Sequence, residues 1–132
     1  EQARLLAERN PNVHALGHIS DDARLLALWQ HAGVYFHGHS VGGTNPTLVQ
    51  AMATGTPIVA RATVYNREVL GEDAHFCEPN PASIAEAVCA LMAEQDQQQA
   101  VSAHVARRAK ESYTWQGVNS AYRDALRRLS VA

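Results

Sequence analysis

Cysteine and long apolar runs are scarce in this chain. Cys77 and Cys89 are its only cysteines, too few for a disulfide framework, so we expect reduced thiols packed as small core residues, as is usual in the cytosol. No apolar run approaches the roughly 20 residues of a membrane-spanning helix, and no signal peptide is recognisable. The sequence therefore predicts a cytoplasmic protein.

A strong charge of either sign is also lacking. The net charge is −2, which gives no overall attraction to nucleic acid, so we expect no nucleic-acid partner. The basic residues are nevertheless concentrated toward the C-terminus: Arg107, Arg108, Lys110, Arg123, Arg127 and Arg128. One interpretation is a peripheral contact with anionic lipid at the inner membrane face, or with a lipid-linked substrate. The other is an ordinary solvated helix face, or a face that docks another domain.

What the sequence does contain is an alternation of short apolar segments with helical patterns. Strands are predicted at 12–16, 33–37, 57–60 and 74–77. Helices are predicted at 1–9, 21–31, 46–54, 66–70 and 97–111, and others begin at Pro81 and after Thr114. This order predicts one α/β domain with a Rossmann-like, doubly wound parallel sheet covered by helices on both faces. The first helix has no cap before it, so we expect the chain to begin within a domain.

The segment 40–60 carries the clearest functional signal. It is predicted to form a glycine turn, a short helix and a buried strand. Asn45 suits the N-cap, and Pro46 suits the first helical position because its missing N–H would have no partner there. Gly42 and Gly43 allow the backbone to approach a ligand closely. We therefore predict a phosphate or diphosphate site at the helix N-terminus, beside the carboxyl end of strand 33–37.

Two histidines and an arginine are further candidates. His37 and His39 lie two positions apart, which would suit a metal, but no third ligand has a recognisable spacing, so packing at the mouth of a cleft is the preferred interpretation. Arg67 follows strand 57–60 and could reach a diphosphate. Its neighbour Glu68 would bind the loop or the ligand, or form an exposed ion pair of little energetic weight.

Four stretches of the chain together resemble the C-terminal half of a family 4 (group 1) glycosyltransferase with the GT-B fold. Residues 12–17 are similar to the family's "nVxfxG" strand and residues 32–40 to its "AdvyvxpS" strand. Residues 48–60 are similar to "LxEAMAxGxPVIA", and residues 113–115 to the "ysW" that opens its last helix. The run 37–46, with 65–69, resembles a bacterial branch of rhamnosyltransferases.

The resemblance implies a hexosyltransferase-type enzyme of polysaccharide or cell-envelope biosynthesis. The donor is a nucleoside diphosphate sugar, the sugar is transferred with retention of configuration, and neither metal nor cofactor is needed. The acceptor, a glycan or a lipid-linked molecule, is carried by an N-terminal domain that we expect to be absent from these residues. The chain alone is therefore not expected to transfer sugar.

At two positions the sequence departs from the family pattern. The family places glutamates where this chain has Gly42 and Gln50; the first binds the donor sugar and the second the ribose. Gln50 keeps hydrogen-bonding capacity but loses the stronger charge-assisted bond. The resemblance assigns no catalytic residue, and it assigns donor binding to Gly42, Gly43, Thr44, Asn45, Thr47, Leu48 and Gln50, with His37 and Arg67 as further candidates.

These departures leave a second hypothesis open, a non-catalytic nucleotide-binding or scaffold domain of the same fold. A flavodoxin-like receiver domain is a third and weaker alternative. It requires an acidic cluster at the strand ends, which the sequence does not show.

Overall fold

The computed structural model describes residues 1–130, which form seven helices and three strands. In chain order they are α1 (Gln2–Arg9), α2 (Asp22–Gln30), β1 (Tyr35–His37), α3 (Pro46–Ala53), β2 (Ile58–Arg61), α4 (Val64–Leu70), β3 (His75–Cys77), α5 (Pro81–Ala93), α6 (Gln95–Ser112) and α7 (Trp115–Ser130). The predicted helices are all present, with ends shifted by a few residues. None of the helices within residues 1–130 combines the length and apolar character needed to cross a bilayer.

The strands form one parallel sheet in the order β1–β2–β3. Tyr35 lies opposite Ile58, and Val59 lies opposite His75. Parallel neighbours require a crossover between them, and α3 and α4 provide the two crossovers. The predicted Rossmann-like α/β class is therefore confirmed, and the carboxyl ends of the strands share one edge of the sheet.

Helices cover both faces of this sheet. On one face, Leu48 and Met52 of α3 pack with Leu70 and Val105 against the inward side chains of β2, which include Ile58. All five are almost completely buried. On the other face, α5 packs through Leu91 onto Val59 and Cys77. Because alternate residues of a strand point to opposite faces, β2 alone supplies side chains to both halves of the core.

Two expectations from the sequence are wrong. The pattern predicts a strand at residues 12–16, but they run without regular structure and are mostly exposed. A strand needs a neighbour to satisfy its backbone groups, and within residues 1–130 no strand pairs with this segment. Cys77 is buried as expected, whereas Cys89 lies on the exposed side of α5.

Candidate functional site

The N-terminus of α3 lies immediately after the loop that leaves β1. Asn45 caps this helix: its side-chain Oδ1 accepts a hydrogen bond from the Thr47 amide at 3.0 Å, and Pro46 occupies the first turn. The Val49 amide donates to the Asn45 carbonyl. Among the described residues, only the Leu48 amide of this first turn lacks a partner within the chain. The cap and the proline are as predicted, but the turn offers fewer open amides than expected.

The loop before α3 presents its backbone to solvent. Gly42 has a φ of 118°, a conformation that other residues adopt only under strain. Gly43 and Thr44 are exposed, and a Cβ added at Gly43 would meet nothing within 4 Å. The amides of residues 42–44 therefore lie on an accessible stretch of backbone. Leu48, by contrast, is completely buried, backbone and side chain alike, so the structure exposes neither its amide nor its side chain to a ligand.

Asn66 fixes this loop to the neighbouring strand. Its side chain is almost completely buried, and its Nδ2 donates to the His39 carbonyl at 3.3 Å and to the Arg61 carbonyl at 2.9 Å. Its backbone amide donates in turn to the side chain of Thr63, the N-cap of α4. The sequence showed Asn66 near the strand end but gave no sign of this role, which depends on a contact between distant parts of the chain.

His37 lies beneath the loop and not on its surface. It is fully buried, its Nδ1 shares a hydrogen bond with the Tyr35 hydroxyl at 3.1 Å, and its ring stacks on His39 with centroids 4.7 Å apart. Its Nε2 has no partner among residues 1–130. Burial, and secondarily the nearby His39, lowers the pKa of His37 to about 4, so the ring is neutral at neutral pH. A direct contact between the His37 ring and a donor stays a prediction.

Arg67 is held at the carboxyl ends of β2 and β3. Its guanidinium lies 3.1 Å from the Glu72 carboxylate and 4.4 Å above the centre of the Phe76 ring. It also lines a small hollow of about 150 Å³ with Cys77 and Ser83. Arg67 therefore lies at the same edge of the sheet as the loop. Its partners are separate from the loop, because neither Glu72 nor Phe76 belongs to it.

Gln50 lies on the exposed side of α3 and lines a cavity of about 330 Å³. Thr44, Pro46 and Val49 share its wall; the opposite wall consists of Tyr113, Thr114, Trp115 and Val118. We call this space the α3–α7 cavity. The sequence gave no reason to place residues 113–118 beside α3; the resemblance assigned residues 113–115 only to the start of the last helix. Thr47, also predicted for donor binding, is half-buried and engaged in the cap.

One of the basic C-terminal residues, Arg108, is engaged within the fold. Arg108 donates through Nε to the Val69 carbonyl and through a terminal nitrogen to the Glu68 carbonyl, each at 2.7 Å. It thus binds the carbonyl groups at the C-terminal end of α4.

No set of three metal-binding side chains converges within residues 1–130.

Comparison with known proteins gives one family. The model of the family described as "Glycosyl transferases group 1" matches residues 1–94, which include the loop, α3 and the whole sheet. No curated protein matches the chain. Because the match spans well over half of the sequence and the fold is a parallel α/β sheet, the chain belongs to the group 1 glycosyltransferases.

Proposed function

We propose that this chain is the donor-binding domain of a retaining glycosyltransferase that uses a nucleoside diphosphate sugar. The observation that carries the proposal is the open backbone of residues 42–44 beside the capped N-terminus of α3, at the carboxyl end of β1. Ligands of open α/β sheets bind at this edge. Family membership supports glycosyl transfer in general.

The diphosphate is the group that this backbone suits best. The partial positive charge at the α3 N-terminus favours an anion. Because the Thr47 amide of α3 is capped and the Leu48 amide is buried, the exposed amides of the loop supply the hydrogen bonds. Negative charge develops on the diphosphate as it leaves the sugar, so donors fixed here stabilise the transition state.

The ribose and the donor sugar lie on either side of the diphosphate. In this chain neither of them meets a carboxylate at position 42 or 50. Gln50 is exposed on α3 and holds the ribose through its amide. Gly42 offers no side chain to the donor sugar, so backbone groups of the loop hold that end. Both interactions are uncharged, so we expect the donor to bind more weakly than it would to a pair of carboxylates.

The acceptor side of the reaction is part of the same proposal. We propose transfer of a hexosyl group to a glycan or lipid-linked acceptor in bacterial polysaccharide or cell-envelope synthesis, by a rhamnosyltransferase-like enzyme without metal or cofactor. The acceptor is held by a separate N-terminal domain, and the enzyme works in the cytoplasm or at the inner membrane face.

Binding of nucleoside diphosphates tests the donor site. We expect uridine or thymidine diphosphate, titrated into the isotope-labelled chain, to shift backbone amide resonances mainly within residues 42–50. We expect no sugar transfer by the 132 residues alone. Robust transfer by this chain would contradict the assignment of the acceptor to another domain, and shifts confined to other regions would contradict the donor site.

A substitution at Gln50 separates ribose binding from diphosphate binding. Gln50→Ala should weaken uridine diphosphate about two- to tenfold, the effect of one neutral hydrogen bond, and leave inorganic pyrophosphate unchanged. Gln30→Ala is the matched control, because Gln30 is also an exposed helical glutamine but ends α2. Equal effects of the two substitutions would rule out a specific role for Gln50.

A scaffold domain that has kept the fold without the chemistry is the second candidate. The observation that favours it is the absence of a carboxylate at both Gly42 and Gln50. In that case the same titration gives no shift anywhere in the chain at millimolar nucleotide.

A further inference from the structure

The last helix, α7, exposes a continuous apolar face. Large apolar side chains recur along it every three or four residues, the spacing that places them on one side of a helix. They are 40–80 % exposed: Trp115, Val118, Tyr122, Leu126 and Leu129. Within residues 115–129 no side chain is buried, and only Ser120 is half-buried. The described part of the chain therefore leaves this face uncovered, and a face of this kind marks an interaction surface.

The charged residues of α7 are arranged in order around the apolar face. At about 100° per residue, Arg123 and Arg128 lie on its two flanks, each roughly 110° from its middle. Asp124 and Arg127 lie on the opposite side, where a terminal nitrogen of the arginine is 3.9 Å from the carboxylate. The apolar face is thus bordered by positive charge on both flanks, and the only carboxylate within residues 115–130 lies away from it.

A bilayer surface with anionic headgroups has the complementary arrangement. A helix in the plane of that surface buries its apolar face at the acyl boundary, and basic residues on its flanks meet the phosphates. Trp115 and Tyr122 suit the boundary, because each joins an apolar ring to a polar N–H or O–H. With 16 residues, α7 is shorter than the roughly 20 residues that cross a bilayer, so this helix lies along the surface.

Protein surfaces match this helix less well. A second copy of α7, packed face to face, would bring the flanking arginines of the two helices together, and like charges oppose that contact. A different protein would need a carboxylate placed opposite each of Arg123 and Arg128. Anionic lipids supply negative charge along the whole length of both flanks.

We propose that α7 binds in the plane of a membrane surface rich in anionic lipids. Its apolar face contacts the acyl chains, and Arg123 and Arg128 contact the headgroup phosphates. This inference rests on the part of the proposed function that places the enzyme at the membrane face, and it identifies the residues that make the contact. It is independent of nucleotide binding, because the loop of residues 42–44 takes no part in it.

Vesicles of defined composition test the proposal with the unmodified chain. We expect the chain to sediment with vesicles that contain about one-third phosphatidylglycerol, to bind pure phosphatidylcholine at least about tenfold more weakly, and to lose affinity for the anionic vesicles as salt rises. Trp115 is 80 % exposed and Trp29 is 8 % exposed, so a shift of tryptophan emission to shorter wavelength reports Trp115 entering the lipid. Equal binding to the two lipids, or binding to neither, would overturn the proposal.

A substitution on the apolar face tests its contact with the acyl chains. Leu126→Ser should weaken binding to the anionic vesicles about tenfold, because one exposed apolar side chain is removed. Leu6→Ser is the matched control, since Leu6 is a similarly exposed leucine but belongs to α1. Equal losses for the two variants would contradict a site on α7.

A second pair of variants tests the flanking charges. Replacing both Arg123 and Arg128 by glutamine should weaken binding to the anionic vesicles roughly twentyfold. Replacing Arg4 and Arg107 by glutamine removes the same net charge from exposed positions on α1 and α6, and this control should change the affinity no more than about twofold. Equal losses for the two double variants would show that net charge alone is responsible.

Other occupants of the apolar face give different results. A Trp115 emission that shifts with protein concentration in the absence of lipid assigns the face to a second copy of the chain. An emission already at short wavelength, in a chain that also carries the proposed acceptor domain, assigns the face to that domain. Either result overturns the proposal. The titration with uridine diphosphate requires no vesicles, so a failure of membrane binding leaves the donor site standing, and a failure of nucleotide binding leaves the membrane surface standing.

Discussion

Folding lowers the pKa of the His37 ring to about 4, mainly through burial. Its ring is fully buried between Tyr35 and His39, and protonation there would place a charge where water cannot reach it. The sequence showed two histidines two positions apart, a pattern that also suits a metal site. It could not show which of them is buried, because burial depends on how the following loop folds back over β1.

This burial predicts a pH dependence of stability. The pKa of His37 is about 4 in the folded chain and about 6.5 when unfolded, so between these values the unfolded chain binds the extra proton. The contribution of His37 to the free energy of unfolding is therefore fully present above about pH 6.5. It decreases by about 3 kcal/mol as the pH falls to 4. Urea unfolding at several pH values should show this loss in the native chain and a smaller one in His37→Gln.

His31→Gln serves as the control, because His31 is exposed. That variant should lose stability with falling pH as the native chain does. An NMR titration of the His37 ring in the native chain gives an independent measurement, and a midpoint near the ordinary histidine value of about 6.5 would contradict the prediction.

At the scale of the elements, two helices begin in the same way. Asn45 and Pro46 open α3, and Asn80 and Pro81 open α5, where the Asn80 Oδ1 accepts from the Ser83 amide at 2.9 Å. Such caps could be predicted from the sequence because they depend on neighbouring residues only. The irregular course of residues 12–16 and the α3–α7 cavity could not, because each depends on whether a distant part of the chain supplies a partner.

The shared cap chemistry allows the anion site to be tested without unfolding α3. Asn45→Asp keeps the capping oxygen, so we expect an unchanged free energy of unfolding, whereas Asn45→Ala should lose about 1 kcal/mol. The carboxylate that Asn45→Asp introduces repels a diphosphate, so pyrophosphate binding should weaken several-fold. Calorimetric titration with pyrophosphate measures this.

Asn80→Asp is the same substitution at the cap of α5. It should leave both stability and pyrophosphate affinity unchanged, because α5 begins after β3 and not at the loop. Equal weakening by the two variants would show that the effect is one of net charge and would contradict a local site at α3.

At the scale of the whole molecule, burial is concentrated around β2 and α3. Val59, Ala60 and Leu48 are completely buried, whereas α1 has no buried residue. The parallel α/β class could be predicted because alternating strands and helices admit few arrangements. The uneven distribution of burial could not, since it depends on which helices find a partner.

This distribution predicts a gradient of local stability. Backbone amides of β2 and of the later turns of α3 should exchange with solvent deuterium slowest, and those of α1 and of residues 12–16 should exchange fastest. Hydrogen–deuterium exchange followed by NMR measures this, with α6 expected between the extremes because it buries Val105 and Ala109. Protection of α1 equal to that of β2 would contradict the gradient.

The side chain of Asn66 has a mechanical consequence. One nitrogen atom holds the carbonyl of His39 in the loop and the carbonyl of Arg61 at the end of β2. Asn66 therefore joins both segments to α4, whose C-terminal end is held in turn by Arg108 of α6. We expect a ligand that displaces the loop to disturb these bonds, and a spectroscopic label on the exposed side of α4 would test this without touching the loop.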